Sequence, residues 1–143
     1  MKAYSIGLYE KAMPNTLTWK EKLEAAKEAG YDFVEISIDE TDAKLARLDW
    51  TKEERLELVK TMYEVGLPIR SMCLSGHRKY PLGSSYPATE ARSLEIMEKA
   101  IQLADDLGVR IIQLAGYDVY YDESTPETVE RFGWNLKKAA RMA

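Results

Sequence analysis

Glu35 and Ser37 stand two residues apart in the run FVEISI, so in an extended chain both side chains leave the same face. A carboxylate there can accept hydrogen bonds from sugar hydroxyls or support a metal ligand, or it can be neutralised by a base such as Arg70. His77, the single histidine, lies in SGHRKYPLGSS. An imidazole in such a loop serves as general acid or base, as a substrate ligand, or as a solvated side chain, and the sequence leaves these roles open. Arg78 and Lys79 follow it; a guanidinium can hold a phosphate through two parallel hydrogen bonds, although loop cations are commonly just solvated. Gln113, in RIIQLAG, carries an amide that is costly to bury without a partner. Tyr117, Tyr120 and Tyr121 in GYDVYYDES have rings that can wall a sugar site or simply cap a core. The acids Asp39, Glu40 and Asp42 read as a solvated loop and helix start.

Several chemistries are excluded by what is missing. No GxGxxG, P-loop, HExxH or EF-hand spacing occurs, which removes the usual dinucleotide, ATP, zinc-protease and calcium signatures. With one cysteine, Cys73, no intrachain disulfide can form, and a metal site would need mostly carboxylates. The formal net charge of −4 argues against a duplex nucleic-acid binder, which needs a basic face to displace counterions. The opening MKAYSIGLYEK lacks an apolar signal core, and no run approaches the roughly 20 apolar residues of a membrane span. A cytoplasmic protein whose partners are small molecules or proteins, with neither nucleic acid nor membrane among them, is the expectation.

The elements that must position these residues follow a repeat. Three times an amphipathic helical stretch ends at a glycine and a β-branched apolar run follows: EAG-YDFVEISI, EVG-LPIRSMCLS and DLG-VRIIQLAG. Gly30, Gly66 and Gly108 are 36 and 42 residues apart, the separation of consecutive βα units, and each suits the left-handed position that closes a helix. The pattern predicts strands at Tyr4–Leu8, Phe33–Ile38, Ile69–Ser75 and Arg110–Ala115. It predicts helices from Thr18 to about Ala29, Thr51 to Val65 and Thr89 to Leu107, and one from Thr125 onward. Thr51 and Glu54 form a capping box, and Thr125 before Pro126 is a second start signal.

Such alternation implies parallel pairing with right-handed crossovers, in a barrel or an open doubly wound sheet of flavodoxin type. Strand faces decide between them. Val34, Ile36 and Ile38 oppose Phe33, Glu35 and Ser37; Met72 and Leu74 oppose Ser71, Cys73 and Ser75; Ile112 and Leu114 oppose Ile111, Gln113 and Ala115. A central strand with helices on both sides should be apolar on both faces. One greasy and one polar face fits a barrel, whose lumen side carries the active site at the C-terminal strand ends. The fold class is therefore α/β, a TIM-type (β/α)8 barrel. Four β/α units are present where a complete barrel needs about 250 residues, so the chain is expected to be an N-terminal half with the second half absent.

The segments GLYEKAMP, GYDFVEISIDETD, LARLDW, SMCLSGHRKYPLGS and LEIMEKAIQLADDLGVRIIQLAGYDVYYDES resemble the sugar-phosphate 3-epimerases of the xylose-isomerase-like barrel superfamily, in particular those acting on L-xylulose 5-phosphate and L-ribulose 5-phosphate. The resemblance covers essentially the whole chain. It implies a divalent-metal isomerase in which two glutamates exchange a proton beside the ketose carbonyl through an enediolate. It also implies that those glutamates and the metal ligands lie in the second half. No catalytic residue and no metal ligand is then carried by this chain, and the chain alone should bind no metal. The positions carried over are on the substrate side: Glu35, Ser71, His77, Gln113 and Tyr117. The implied ligand is a phosphorylated ketopentose. Open strand edges make self-association the expectation for a half-barrel. A non-catalytic binding or self-association module, and another isomerase of the superfamily such as a hexulose-6-phosphate isomerase, stand as the alternatives.

Overall fold

The computed structural model describes residues 3–143. In chain order come β1 (Gly7–Tyr9), α1 (Trp19–Glu28), β2 (Phe33–Ile38), α2 (Asp42–Leu45), α3 (Lys52–Val65), β3 (Ile69–Leu74), α4 (Pro87–Leu107), β4 (Ile111–Leu114) and α5 (Pro126–Met142), with short 3-10 turns at Glu10–Ala12, Ala46–Asp49 and Ser75–Arg78. The strands form one sheet in the order β1-β2-β3-β4. A helix in each connection makes the pairing parallel, as seen directly where Gly7 pairs with Phe33 and Tyr9 with Glu35. A flavodoxin-type sheet would place its second strand outside the first, so the unbroken sequential order excludes it and matches half of a (β/α)8 barrel.

The chain forms two compact units. One contains the residues up to Ser37, Trp50–Cys73 and Ala104–Gln113; the other contains Ile38–Asp49, Leu74–Leu103 and Leu114–Ala143. In the first unit, α1 lies against α3. Leu23 and Ala26 of α1, Leu58 and Met62 of α3, and Val34, Ile36, Ile69 and Met72 of the sheet are buried. Both helices start at capping boxes, Thr18 with Glu21 and Thr51 with Glu54, each satisfying two otherwise orphaned donors. Gly30, Gly66 and Gly108 all have positive φ, the left-handed closure their spacing predicts. Gly7 is required for a different reason. A Cβ there would sit 2.2 Å from the Phe33 ring, its register partner across the sheet.

The second unit buries Leu45, Leu74, Leu82, Ile96, Met97 and Ala139. Pro87 opens α4 two residues ahead of the expected Thr89, because proline lacks only a donor that the first helical turn leaves unused. Asn135 and Arg131 of α5 tie α4 and the segment before it: Asn135 Nδ2 donates to the Leu82 carbonyl at 2.8 Å and to Glu90 of α4 at 2.7 Å, and Arg131 donates to the Ser84 carbonyl at 3.1 Å.

Two expectations need correcting. The first strand runs Gly7–Tyr9 rather than Tyr4–Leu8. Tyr4 is 69% exposed, and the Ile6 amide is taken by the Asp32 carboxylate at 2.8 Å, so ladder pairing starts only at Gly7. The acidic run after β2 is not merely solvated: Asp39 is buried and accepts from the Thr41 amide and hydroxyl at 2.9 and 2.6 Å. Thr41 in turn caps the short helix α2. Local side-chain to backbone bonding of this kind competes with periodicity and leaves no repeat to read.

Candidate functional site

Parallel pairing sets Glu35 of β2 beside Ser71 of β3, and the Ser71 hydroxyl donates to Glu35 Oε2 at 2.7 Å. Both belong to the first unit and sit on the face opposite Val34, Ile36 and Met72. Glu35 is half-buried and takes a neutral donor; Arg70 instead lies over the Phe33 ring, 6.0 Å from its centroid. A carboxylate with one hydroxyl partner keeps further acceptor capacity for sugar hydroxyls. On the same face the Ser37 hydroxyl is within 3.1 Å of Tyr9 Oη, and burial pushes the Tyr9 phenol up from its ordinary value. Gln113 is exposed, contrary to the expectation of a buried amide, because β4 is an edge strand of the sheet.

The same unit holds a pair that the sequence reading passed over. Glu10, fully buried just after β1, accepts from Lys22 Nζ at 2.8 Å and from the Ser37 amide at 2.9 Å, and Lys22 is itself 3% exposed. Two signals were available. A carboxylate directly after a barrel strand stands where functional groups gather, and Lys22 adjoins Leu23 on the buried side of α1. Lysine on an apolar stripe needs a partner.

In the second unit His77 is 5% exposed, and its Nε2 faces the Ser93 carbonyl at 3.1 Å; a carbonyl accepts, so the tautomer carries its proton on Nε2. Burial holds this imidazole below its ordinary value of 6.5, with the Ser93 bond opposing. An unfolded chain therefore takes up a proton near pH 6.5 that the folded chain refuses, and stability falls as pH drops from there toward the folded value. His77→Gln keeps an amide donor for Ser93 and removes the titration. Urea midpoints of the variant should be flatter than those of the parent just below pH 6.5, and parallel curves would disprove the linkage.

The remaining candidates of this unit gather around Arg78. Its guanidinium lies 5.1 Å from the Tyr120 ring centroid, and that ring packs against Tyr117 at 5.0 Å and Tyr121 at 4.9 Å. The Tyr121 hydroxyl donates to both Glu40 oxygens, at 2.8 and 3.1 Å. Burial raises the Tyr117 phenol above its ordinary value against the pull of Arg78, so at neutral pH it is a hydroxyl donor. Lys79 lies over the Tyr80 ring at 5.4 Å.

Among the described residues no three His, Cys, Asp or Glu side chains gather as a metal donor set. The acids nearest the expected site are engaged elsewhere, Glu35 by Ser71 and Glu10 by Lys22. As they stand, the described residues do not supply the donor set of a divalent ion. Among the described residues, too, no helix is long and apolar enough to cross a membrane.

Residues 23–143 match the family described as xylose isomerase-like TIM barrel. The L-ribulose-5-phosphate 3-epimerase UlaE of Escherichia coli (strain SMS-3-5 / SECEC) is 55% identical over 142 residues, covering 99% of this chain and 50% of that protein. The chain thus spans about half the length of the curated relatives it matches. Among solved structures, a D-psicose 3-epimerase crystallised with D-fructose superposes with a TM-score of 0.77 at 16% identity, over 98% of this chain and 48% of that one. An L-ribulose 3-epimerase superposes at 0.69 and 24% identity, over 96% and 45%.

Proposed function

The chain belongs to the xylose isomerase-like TIM barrel family, and from that premise we propose that its protein is an L-ribulose 5-phosphate 3-epimerase, interconverting that ketopentose phosphate with L-xylulose 5-phosphate, to which this chain contributes the N-terminal four β/α units. The observation that carries the proposal is the 55% identity to the UlaE epimerases, which extends over 142 residues. Epimerisation beside a carbonyl removes a proton from one face of the carbon and returns it on the other, which calls for two bases flanking the substrate. This chain's share is to bind. In the first unit Glu35, steadied by Ser71, accepts from sugar hydroxyls, with Gln113 as a further substrate-side residue; in the second unit the substrate-side residues are His77 and Tyr117. The paired glutamates and the divalent metal ion belong to the other half of the barrel, so the 143 residues alone bind no such ion and do not turn over. The reaction takes place in the cytoplasm.

Turnover of the protein expressed from its complete reading frame tests this. L-ribulose 5-phosphate should be the preferred substrate over a hexulose 6-phosphate, and the reverse preference would move the assignment to a hexulose-6-phosphate isomerase. One further reading, a non-catalytic half-barrel that self-associates, has exposed apolar side chains in its favour. Ile111 on the edge strand is 62% exposed, as are Trp134 (60%) and Val129 (53%) on α5, and a second copy would cover such surface. Light scattering on residues 1–143 should find a dimer or larger; a folded monomer at micromolar concentration would exclude association.

A further inference from the structure

We propose that the cavity at the N-terminal ends of β3 and β4 binds an organic anion with an apolar body, its oxyanion held by Arg70 and Arg110 and its tail lodged against α3, a site that does not depend on the epimerase reading above. The cavity measures about 750 Å³, within the roughly 300–1,000 Å³ of small-molecule sites. All of its lining belongs to the first unit, and its walls come from the C-terminal ends of α3 and α4 and the starts of the strands that follow them. The inner wall is apolar: Met62, Leu67, Ile69 and Leu107 line it and are buried, with Val59 half-buried beside them.

Arg70 and Arg110 supply the charge. They stand on neighbouring strands, the Arg110 amide donating to the Arg70 carbonyl at 3.4 Å, and both line the cavity while remaining exposed. Among the described residues no carboxylate stands at ion-pair distance from either. Of the two acids in the wall, Asp106 is held by Arg55 at 2.5 Å, and Asp105 lies beyond ion-pair reach of both arginines. Like charges side by side on adjacent strands are destabilising, and an oxyanion between them relieves the repulsion through charged hydrogen bonds. Arg70 lies over the Phe33 ring, 6.0 Å from its centroid, a contact that occupies none of its N–H groups. The opposite wall sets the orientation of the ligand. α3 and α4 both end there, closed by Gly66 and Gly108 in the left-handed conformation, and helix C-termini carry partial negative charge. An anion is repelled from that wall and drawn to the arginines, which leaves the apolar body to Val59 and Met62. A cation would meet two guanidinium groups, and a bare sugar would leave the apolar wall unmatched.

Calorimetric titration of the protein expressed from its complete reading frame tests the site with octanoate, octyl phosphate, acetate and octylamine. Octanoate or octyl phosphate should bind, the tighter of the two naming the head group, with acetate and octylamine about tenfold weaker or more. From hexanoate to octanoate each added methylene should tighten binding about fourfold, the worth of a buried aliphatic carbon. Arg70→Gln and Arg110→Gln should each weaken octanoate about tenfold, the low end for losing a charged hydrogen bond. Val59→Phe, which fills the cavity against α3, should weaken it by a similar factor. If that variant proves unfolded by circular dichroism, the two arginine variants decide the matter, because their side chains are exposed and their loss leaves the core intact. No binding of either octyl anion, an affinity indifferent to chain length, or full affinity in either arginine variant would overturn the site. Binding is read without turnover, so the site stands or falls separately from the epimerase activity.

Discussion

Lys22→Met should cost the protein about 3–5 kcal/mol, and adding Glu10→Gln to it should recover most of that loss. Lys22 and Glu10 are 3% and 0% exposed and 2.8 Å apart. Removing the ammonium alone takes a close charge partner from a carboxylate that lies fully buried. The partner change is chosen for a second bond. Glu10 also accepts from the Ser37 amide at 2.9 Å, so an apolar replacement would orphan a β2 donor, whereas the glutamine carbonyl still accepts. Methionine fills the stem volume of lysine without its charge. Urea denaturation of the two single variants and the double supplies the cycle. If Lys22→Met loses under 1 kcal/mol, or the double variant is worse than both singles, the pair does not hold the end of β1 to β2 as described.

Asn135→Leu is the second large loss, about 2–4 kcal/mol, because one buried amide serves two elements. Its Nδ2 donates to the Leu82 carbonyl at 2.8 Å and to Glu90 on α4 at 2.7 Å, with Asn135 fully buried on α5. Leucine is close in volume but leaves the buried Leu82 carbonyl without its donor and takes a donor from the half-buried Glu90 carboxylate, so the penalty is for lost hydrogen bonds rather than for a cavity. The orientation of the amide follows from its partners: both are acceptors, so the nitrogen must face them. Thermal melts at fixed pH should show the drop, and a variant within 0.5 kcal/mol of the parent, the scale of an ordinary surface change, would contradict this role for α5.

These two positions also mark where sequence reading stopped. What repeats along the chain was legible: the helix-closing glycines at 30, 66 and 108, the Thr51–Glu54 capping box, and β2 at Phe33–Ile38 with its alternating faces. Each is a local pattern with its own physical cause, a positive φ, an orphan donor or a pleat. The Glu10–Lys22 pair, the His77–Ser93 contact and the Asn135 ties join residues 12 to 53 positions apart, and no local period announces them. Asp39 misled for the opposite reason. Its bonds to Thr41 are local, but one turn of Asx geometry looks like a solvated acidic loop in the sequence. Of the site, the Glu35–Ser71 meeting follows from strand parity and sequential strand order, whereas the cation–tyrosine arrangement around Arg78 required the fold of the loops.

The proposed 3-epimerase, to which this chain would contribute half of the barrel, must exchange the ketose C3 proton with solvent. L-ribulose 5-phosphate is incubated in D2O with the protein expressed from its complete reading frame, with divalent metal added, and followed by proton NMR. The C3 proton signal should fade as L-xylulose 5-phosphate appears, and residues 1–143 alone should produce neither change. A protein from the complete reading frame that leaves the C3 proton in place would refute the epimerase assignment, and a 143-residue chain that exchanges it unaided would refute the division of the barrel into a binding and a catalytic half.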